Sequence, residues 1–224
     1  MLIHIPAVLT ADEVRDCRAE LDASPWIDGR ASAGHMAASV KENQEADLTD
    51  PTVRARSDFI RRVLSSNTAF RTSALPARIC PPSFNRFTGG QSYGTHIDTA
   101  LLHFRGTPVR TDLAATLFLA PPEEYDGGEL VIEDTFGEVK VKLPAGDMAV
   151  YPASSQHRVE PVTRGVRVAS YIWIQSLVRD DMQRRLLHEM NGAIMRLNQA
   201  IPGSKDVTQL VGVHHNLQRM WSDT

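Results

Sequence analysis

Cysteine is nearly absent. Cys17 and Cys80 are the two thiols in 224 residues, too few and too far apart for a disulfide scaffold or a cysteine zinc site, so both are expected as small buried apolar side chains. Long apolar runs are missing as well. No stretch of about 18 apolar residues exists to span a bilayer, and Met1 to Thr10 lacks the basic, apolar and small-residue segments of a secretion signal. The expectation is a cytoplasmic chain with no membrane partner. Charge of one sign is lacking too: 24 Lys and Arg against 27 Asp and Glu give a formal −3, which offers no bulk attraction for nucleic acid. Arg54, Arg56, Arg61 and Arg62 do cluster, but at helical spacing, where they read as a solvated face.

What is present is the composition of a globular protein with a real core, 42% apolar and 23% charged. Thr10-Ala11-Asp12-Glu13 has the form of a capping box, and Val14, Cys17 and Leu21 then recur at helical spacing. A polar stretch from Gly29 to Asp47 follows. Asp50-Pro51 opens a second helix with Val53, Phe59, Ile60, Val63 and Leu64 as its stripe. From Leu75 short β-rich runs follow at close spacing: Arg78 to Phe87, Ser92 to Asp98, Leu113 to Leu119, Gly128 to Asp134, Glu138 to Leu143, Asp147 to Tyr151, His157 to Val162 and Val166 to Gln175. Beyond Ser176 the pattern is helical again, with Met182, Leu186, Met190 and Leu197 on one face, and a last helix carries Leu210, Val213, Leu217 and Trp221. The expected class is mainly β, a jelly roll over residues 75–177 between N-terminal helices in 1–74 and a helical tail in 178–224. That tail has apolar surface to cover on the core or on a second copy, so a homo-oligomer is expected.

His96-Ile97-Asp98 ends a predicted strand. Residues two apart share a side, so the imidazole and the carboxylate can converge on one ion while Ile97 points into the opposite layer. That spacing is common by chance, and a second histidine is required. His157 is the candidate, because it begins a later strand after the turn-rich Pro152-Ala153-Ser154-Ser155; a satisfied, partly buried histidine is the plain alternative. Two histidines and a carboxylate form the facial set typical of non-haem iron(II), with open positions that a four-ligand structural zinc site lacks. Arg167 lies beyond the Thr163-Arg164-Gly165 turn, on the neighbouring predicted strand, and shares a face with Ala169, Tyr171 and Trp173. An inward guanidinium needs an anion. Either it takes the distal carboxylate of a dicarboxylic acid bound at the metal, or it has an internal partner such as Asp112 or Glu129.

Several segments together carry a resemblance: Phe84-Asn85-Arg86-Phe87, Tyr93-Gly94-Thr95-His96-Ile97-Asp98, Arg110 to Leu119, Tyr125-Asp126-Gly127-Gly128-Glu129-Leu130, Lys142-Leu143-Pro144-Ala145-Gly146-Asp147 and Thr163-Arg164-Gly165-Val166-Arg167. They resemble the bacterial PKHD-type hydroxylases of the iron(II)/2-oxoglutarate oxygenase superfamily, relatives of the prolyl 4-hydroxylases, nearly end to end. The resemblance implies a double-stranded β-helix core, His96, Asp98 and His157 on iron(II), Arg167 on 2-oxoglutarate, and a helical tail. It brings iron(II) as cofactor, 2-oxoglutarate as cosubstrate and L-ascorbate as a candidate reductant. The implied reaction hydroxylates a substrate as 2-oxoglutarate is oxidatively decarboxylated to succinate and CO2. The implied substrate is peptidyl or a small molecule, a siderophore of bacterial iron uptake included. Phe87 stands where prolyl hydroxylase relatives commonly carry tyrosine; a phenyl ring donates no hydrogen bond, which leaves Tyr93 as the nearby hydroxyl.

Two competing classes fit the same ligands: a non-catalytic iron-binding jelly-roll sensor, and a zinc hydrolase on a cupin-like barrel. The remaining histidines read plainly. His214 and His215 diverge by about 100° on a helix and cannot easily share an ion, while His4, His35, His103 and His188 lack ligand partners at useful spacing. Trp26, Trp173 and Trp221 are expected as core anchors. Arg105-Gly106-Thr107-Pro108 is the candidate rim of the site.

Overall fold

A computed structural model of the chain describes residues 1–32, 34–104, 106–134 and 137–223. The N-terminal part holds β1 (Ile3–Ile5), α1 (Ala11–Asp22), β2 (Trp26–Asp28), α2 (His35–Ala38), β3 (Gln44–Ala46), α3 (Pro51–Ser66) and α4 (Thr68–Ala74). Both halves of the Thr10–Glu13 capping box are formed, and α1 buries Val14, Cys17 and Leu21. Asp50 caps α3 by accepting from the Thr52 and Val53 amides, and Val53, Ile60 and Leu64 turn inward. The stretch 29–47 contains a 3-10 turn, α2 and β3. Its polar residues hid the strand because β3 is a three-residue piece between β2 and β5, pairing Gln44 with Arg86 and Glu45 with Asn85.

The β-core runs through β4 (Pro76–Ile79), β5 (Ser83–Thr88), β6 (Tyr93–His96), β7 (Leu101–Phe104), β8 (Thr107–Arg110), β9 (Leu113–Phe118), β10 (Tyr125–Gly127), β11 (Leu130–Asp134), β12 (Gly137–Val141), β13 (Met148–Pro152), β14 (His157–Val159) and β15 (Val162–Ser176). The large sheet has the order β1-β13-β9-β15-β5-β3-β2, with β4 and β10 also paired to β15, and the small sheet is β12-β11-β14-β6. Four strands of the large sheet (β13, β9, β15, β5) face the four of the small one, which is the jelly roll. The helices α1, α3 and α4 cover the outer face of the large sheet. Period two is visible in β9, where Leu113, Ala115 and Leu117 join the core under the helices while Ala114 and Phe118 join the core toward the small sheet.

Two expectations are corrected here. The run Arg78 to Phe87 is two strands, because Pro81 and Pro82 lack the amide protons a ladder requires. The turn expected at Thr163-Arg164-Gly165 lies inside β15; the break comes at Glu160-Pro161, so β14 and β15 are not neighbours but belong to opposite sheets. A hairpin, β7–β8, was not foreseen.

The tail is α5 (Asp181–Ala200) and α6 (Lys205–Trp221). Of the stripe read from the sequence, Met182 (59%), Leu186 (48%) and Leu197 (39%) are exposed, while Arg184, Leu187 and Ile194 are buried. Arg184 decides the rotation of α5, since its guanidinium donates to the Val178 carbonyl at 2.7 Å and the Arg179 carbonyl at 2.6 Å at the end of the β-core. The expected self-association concerns this exposed stripe. Leu217 and Trp221 of α6 do pack, against Leu75, Val178 and Leu187. No helix among the described residues is long and apolar enough to cross a membrane.

Candidate active site

The ladder between β14 and β6 places His157 directly opposite His96. The two rings stand 4.2 Å apart between centroids, tilted by 52°. His96 Nδ1 donates to the Gly94 carbonyl at 2.9 Å and His157 Nδ1 to the Ser155 carbonyl at 3.0 Å. A carbonyl oxygen only accepts, so both Nδ1 atoms carry the proton and both Nε2 atoms present a lone pair. Asp98 follows the end of β6, with Oδ1 at 3.9 Å from His157 Nε2 and Oδ2 buried without a hydrogen-bond partner. One donor atom from each of the three residues lies within 4.8 Å of the other two.

Electrostatics prepare these groups for a cation. Burial pushes the His96 imidazole down to about 4, helped by His157 and opposed by the Gly94 carbonyl, so the ring is neutral at ordinary pH. Burial pushes the Asp98 carboxyl up, while His157 and a hydrogen bond from the Trp173 side chain pull it down. Ile97 does not point into a layer. It is 55% exposed at the mouth of the site, because β6 ends at His96 and strand alternation ends with it.

Arg167 faces the same cavity, of about 100 Å³, from the large sheet. It is 1% exposed, its Nε donates to the Gly128 carbonyl at 2.9 Å, and its Nη1 is buried with no partner. The Phe87 and Phe118 rings lie 5.5 and 5.4 Å from the guanidinium carbon, so Phe87 supplies an aromatic wall where a hydroxyl was considered. Burial lowers the Arg167 pKa, opposed by Tyr125, Tyr151 and Glu129. Of the internal anions weighed, Asp112 is occupied by Arg110 at 2.6 and 3.0 Å and by the Ser176 amide. Among the described residues no carboxylate forms an ion pair with Arg167. The Gly128 turn makes this seat, for at φ +67° a Cβ there would stand 3.0 Å from Arg167 Cδ.

Sequence reasoning passed over three residues of the cavity wall. Trp173, expected as a core anchor, lines the site with Arg167 and Tyr171; their shared period-two face was the available signal. Tyr151 is buried against the site and makes an edge contact with His157 at 5.2 Å. Lys41 comes from the polar stretch 29–47, and the Lys41–Glu45 spacing was its one trace. The other histidines pair elsewhere: His4 with Asp147 at 2.7 Å and His188 with Ser73 at 3.2 Å. Arg105 of the candidate rim is outside the described residues; Gly106 to Pro108 form the tip and start of β8.

Residues 82–175 match the model of the 2OG-Fe(II) oxygenase superfamily, and residues 181–223 that of the PKHD-type hydroxylase C-terminal domain. PKHD-type hydroxylases of Stenotrophomonas maltophilia (strain R551-3) and Parvibaculum lavamentivorans are 51% and 48% identical, over 224 and 226 residues, with 100% of each chain covered. The chain belongs to the PKHD-type hydroxylase family. Two solved structures share the fold. A Pseudomonas putida prolyl-4-hydroxylase has a TM-score of 0.52 and 23% identity over 78% of this chain and 92% of its own. HygX from Streptomyces hygroscopicus, with nickel and 2-oxoglutarate bound, has 0.54 and 16% over 78% and 82%. This PKHD-type hydroxylase is therefore an iron(II)- and 2-oxoglutarate-dependent oxygenase. Its cavity fits that pair: two imidazole lone pairs and an orphaned carboxylate oxygen on one side suit the cation, and an orphaned guanidinium nitrogen on the other suits a dicarboxylate.

Proposed function

We propose that His96, Asp98 and His157 hold iron(II), that Arg167 binds the distal carboxylate of 2-oxoglutarate, and that the enzyme hydroxylates a carbon of a small-molecule or peptidyl substrate. The observation that carries this reading is the convergence of three metal-type donor atoms within 4.8 Å in one cavity with a buried guanidinium nitrogen that has no partner. Bound iron supplies the oxygen chemistry, in which dioxygen and 2-oxoglutarate give CO2 and succinate, one oxygen atom entering succinate and the other the substrate as hydroxyl.

The chain's own residues prepare for this. The Gly94 and Ser155 carbonyls accept from both Nδ1 atoms, so in each neutral ring Nε2 is the atom left to bind a metal. Arg167 is held by one hydrogen bond on Nε, which leaves its outer nitrogens for a carboxylate fork. Phe87 and Phe118 exclude water around it, strengthening that pairing. The β7–β8 hairpin supports a role as substrate rim: Leu102 lines the cavity together with Ile97, while Leu101 (57%) and Phe104 (39%) of the same strand are exposed.

The test is an anaerobic titration of the metal-free protein with iron(II) and 2-oxoglutarate, followed by air and measurement of succinate. Succinate is expected with iron and not with zinc, and not from Asp98→Ala. Binding of both ligands without succinate, across candidate substrates, supports the sensor reading instead. Activity with zinc that ignores 2-oxoglutarate supports the hydrolase.

A further inference from the structure

Lys41 is buried, and its ammonium donates to the Glu45 carboxylate and to Ser32 Oγ, the latter at 2.8 Å. The same nitrogen lies 5.2 Å above the Tyr93 ring, and Tyr93 stacks on His96 with centroids 3.6 Å apart and planes within 15°. The Tyr93 ring thus touches both the Lys41 ammonium and the His96 imidazole. The backbone holds these residues in register. Lys41 bridges Tyr93, the Gly94 amide donates to the Val40 carbonyl at 2.8 Å, and the Glu42 amide donates to the Ser92 carbonyl at 2.9 Å.

An imidazole anchored through one Nδ1–H bond can still tilt about that bond, swinging Nε2 away from its target. A ring stacked on its face removes the tilt. A buried ion pair adds little net stability, because desolvation offsets its attraction. A cation over a phenol face, however, is attracted to one place. The Lys41–Glu45 pair therefore specifies where the Tyr93 ring lies more than it stabilises the fold.

We infer that Lys41 is a positioning residue for the metal centre, acting through Tyr93 to fix the plane of the His96 imidazole. The inference rests on the reading of His96 as a metal ligand. It assigns to the N-terminal segment, which lies outside the matched oxygenase region 82–175, a part in shaping the site.

The test uses cobalt(II) as the probe metal on the full-length metal-free protein, with the visible ligand-field band and the dissociation constant as readouts. The variant is Lys41→Met/Glu45→Gln, which removes both charges and so leaves neither buried alone. It is expected to keep the wild-type circular dichroism, to bind cobalt about 10-fold more weakly, the scale of outer-shell metal partners, and to shift the band. Lys41→Arg restores a cation over the ring and is expected to recover the affinity. A folded double variant with wild-type affinity and band overturns the inference. Should the double variant fail to fold, Tyr93→Leu against Tyr93→Phe decides: phenylalanine keeps the stack and the affinity, leucine loses both, and equal affinities overturn it. His96→Ala separates the two levels, because cobalt binding that ignores this change removes the metal-site reading itself and the inference with it.

Discussion

Arg167 is a buried cation near two phenyl rings, with no ion pair to a carboxylate among the described residues and only the weaker pull of Glu129, an arrangement that costs stability unless a ligand carboxylate pairs with it. Arg167→Met should therefore move two quantities in opposite directions. The melting temperature of the metal-free protein is expected to rise, and 2-oxoglutarate affinity, measured calorimetrically with metal bound, is expected to fall by about 3 kcal/mol, or ~100-fold. Gly128→Ala should lower the same affinity with the arginine itself unchanged in sequence, since the added methyl meets Arg167 Cδ at 3.0 Å and the backbone is left-handed there. His96 gives a pH dependence. Its folded pKa is depressed to about 4 against an ordinary 6.5, so the unfolded chain binds the extra proton first and stability falls as pH falls through that window. Between pH 7 and 5 the metal-free protein should lose about 2 kcal/mol through this group. Asp98, raised by burial, works in the other direction, so the check is urea denaturation of wild type against His96→Gln at both pH values. The residues visible in the sequence were those whose chemistry is conspicuous, a His-x-Asp pair, a later histidine and an inward arginine. Lys41 and Trp173 escaped because a lysine in a polar stretch and a tryptophan on a strand each have a commoner explanation.

Elements were legible where a local signal fixed them. The Thr10–Glu13 box and the Asp50-Pro51 start appear as read, since caps depend on neighbours a few residues away. What was lost depended on distant partners. β3 is a strand only because β5 offers it an edge, and α5 turns its Leu187 face inward because Arg184 finds carbonyls at the end of β15. The contact between the 40–42 segment and β6 is similarly unmarked in the sequence, although Gly94 is essential to it: a Cβ there would stand 2.8 Å from Val40 Cβ. Gly94→Ala is expected to destabilise the protein by about 1–3 kcal/mol, measured by urea unfolding, and the additional change Val40→Gly, which removes the opposing Cβ, should recover part of the loss.

At the scale of the whole molecule, the order of helices, β-core and helical tail could be read from changing periodicity, and the two-sheet closure follows from eight short strands that must bury one face each. The handedness of the roll and the sheet to which each strand belongs could not, because turns at prolines and glycines admit several pairings. Metal binding should be felt by the entire fold, since the proposed ligands join strand β14 to the end of β6. At a free metal concentration 100 times the dissociation constant, about 2.7 kcal/mol of stabilisation is expected, a rise in Tm of roughly 5–10 °C that a chelator abolishes. The ladder that sets His157 opposite His96 has one more consequence. Lateral pairing, not the length of chain between them, holds the two histidines together, so the intervening 101–110 hairpin is free to lengthen, shorten or change composition over evolutionary time. A new substrate can be accommodated by recutting that excursion while the oxidising centre stays where it is.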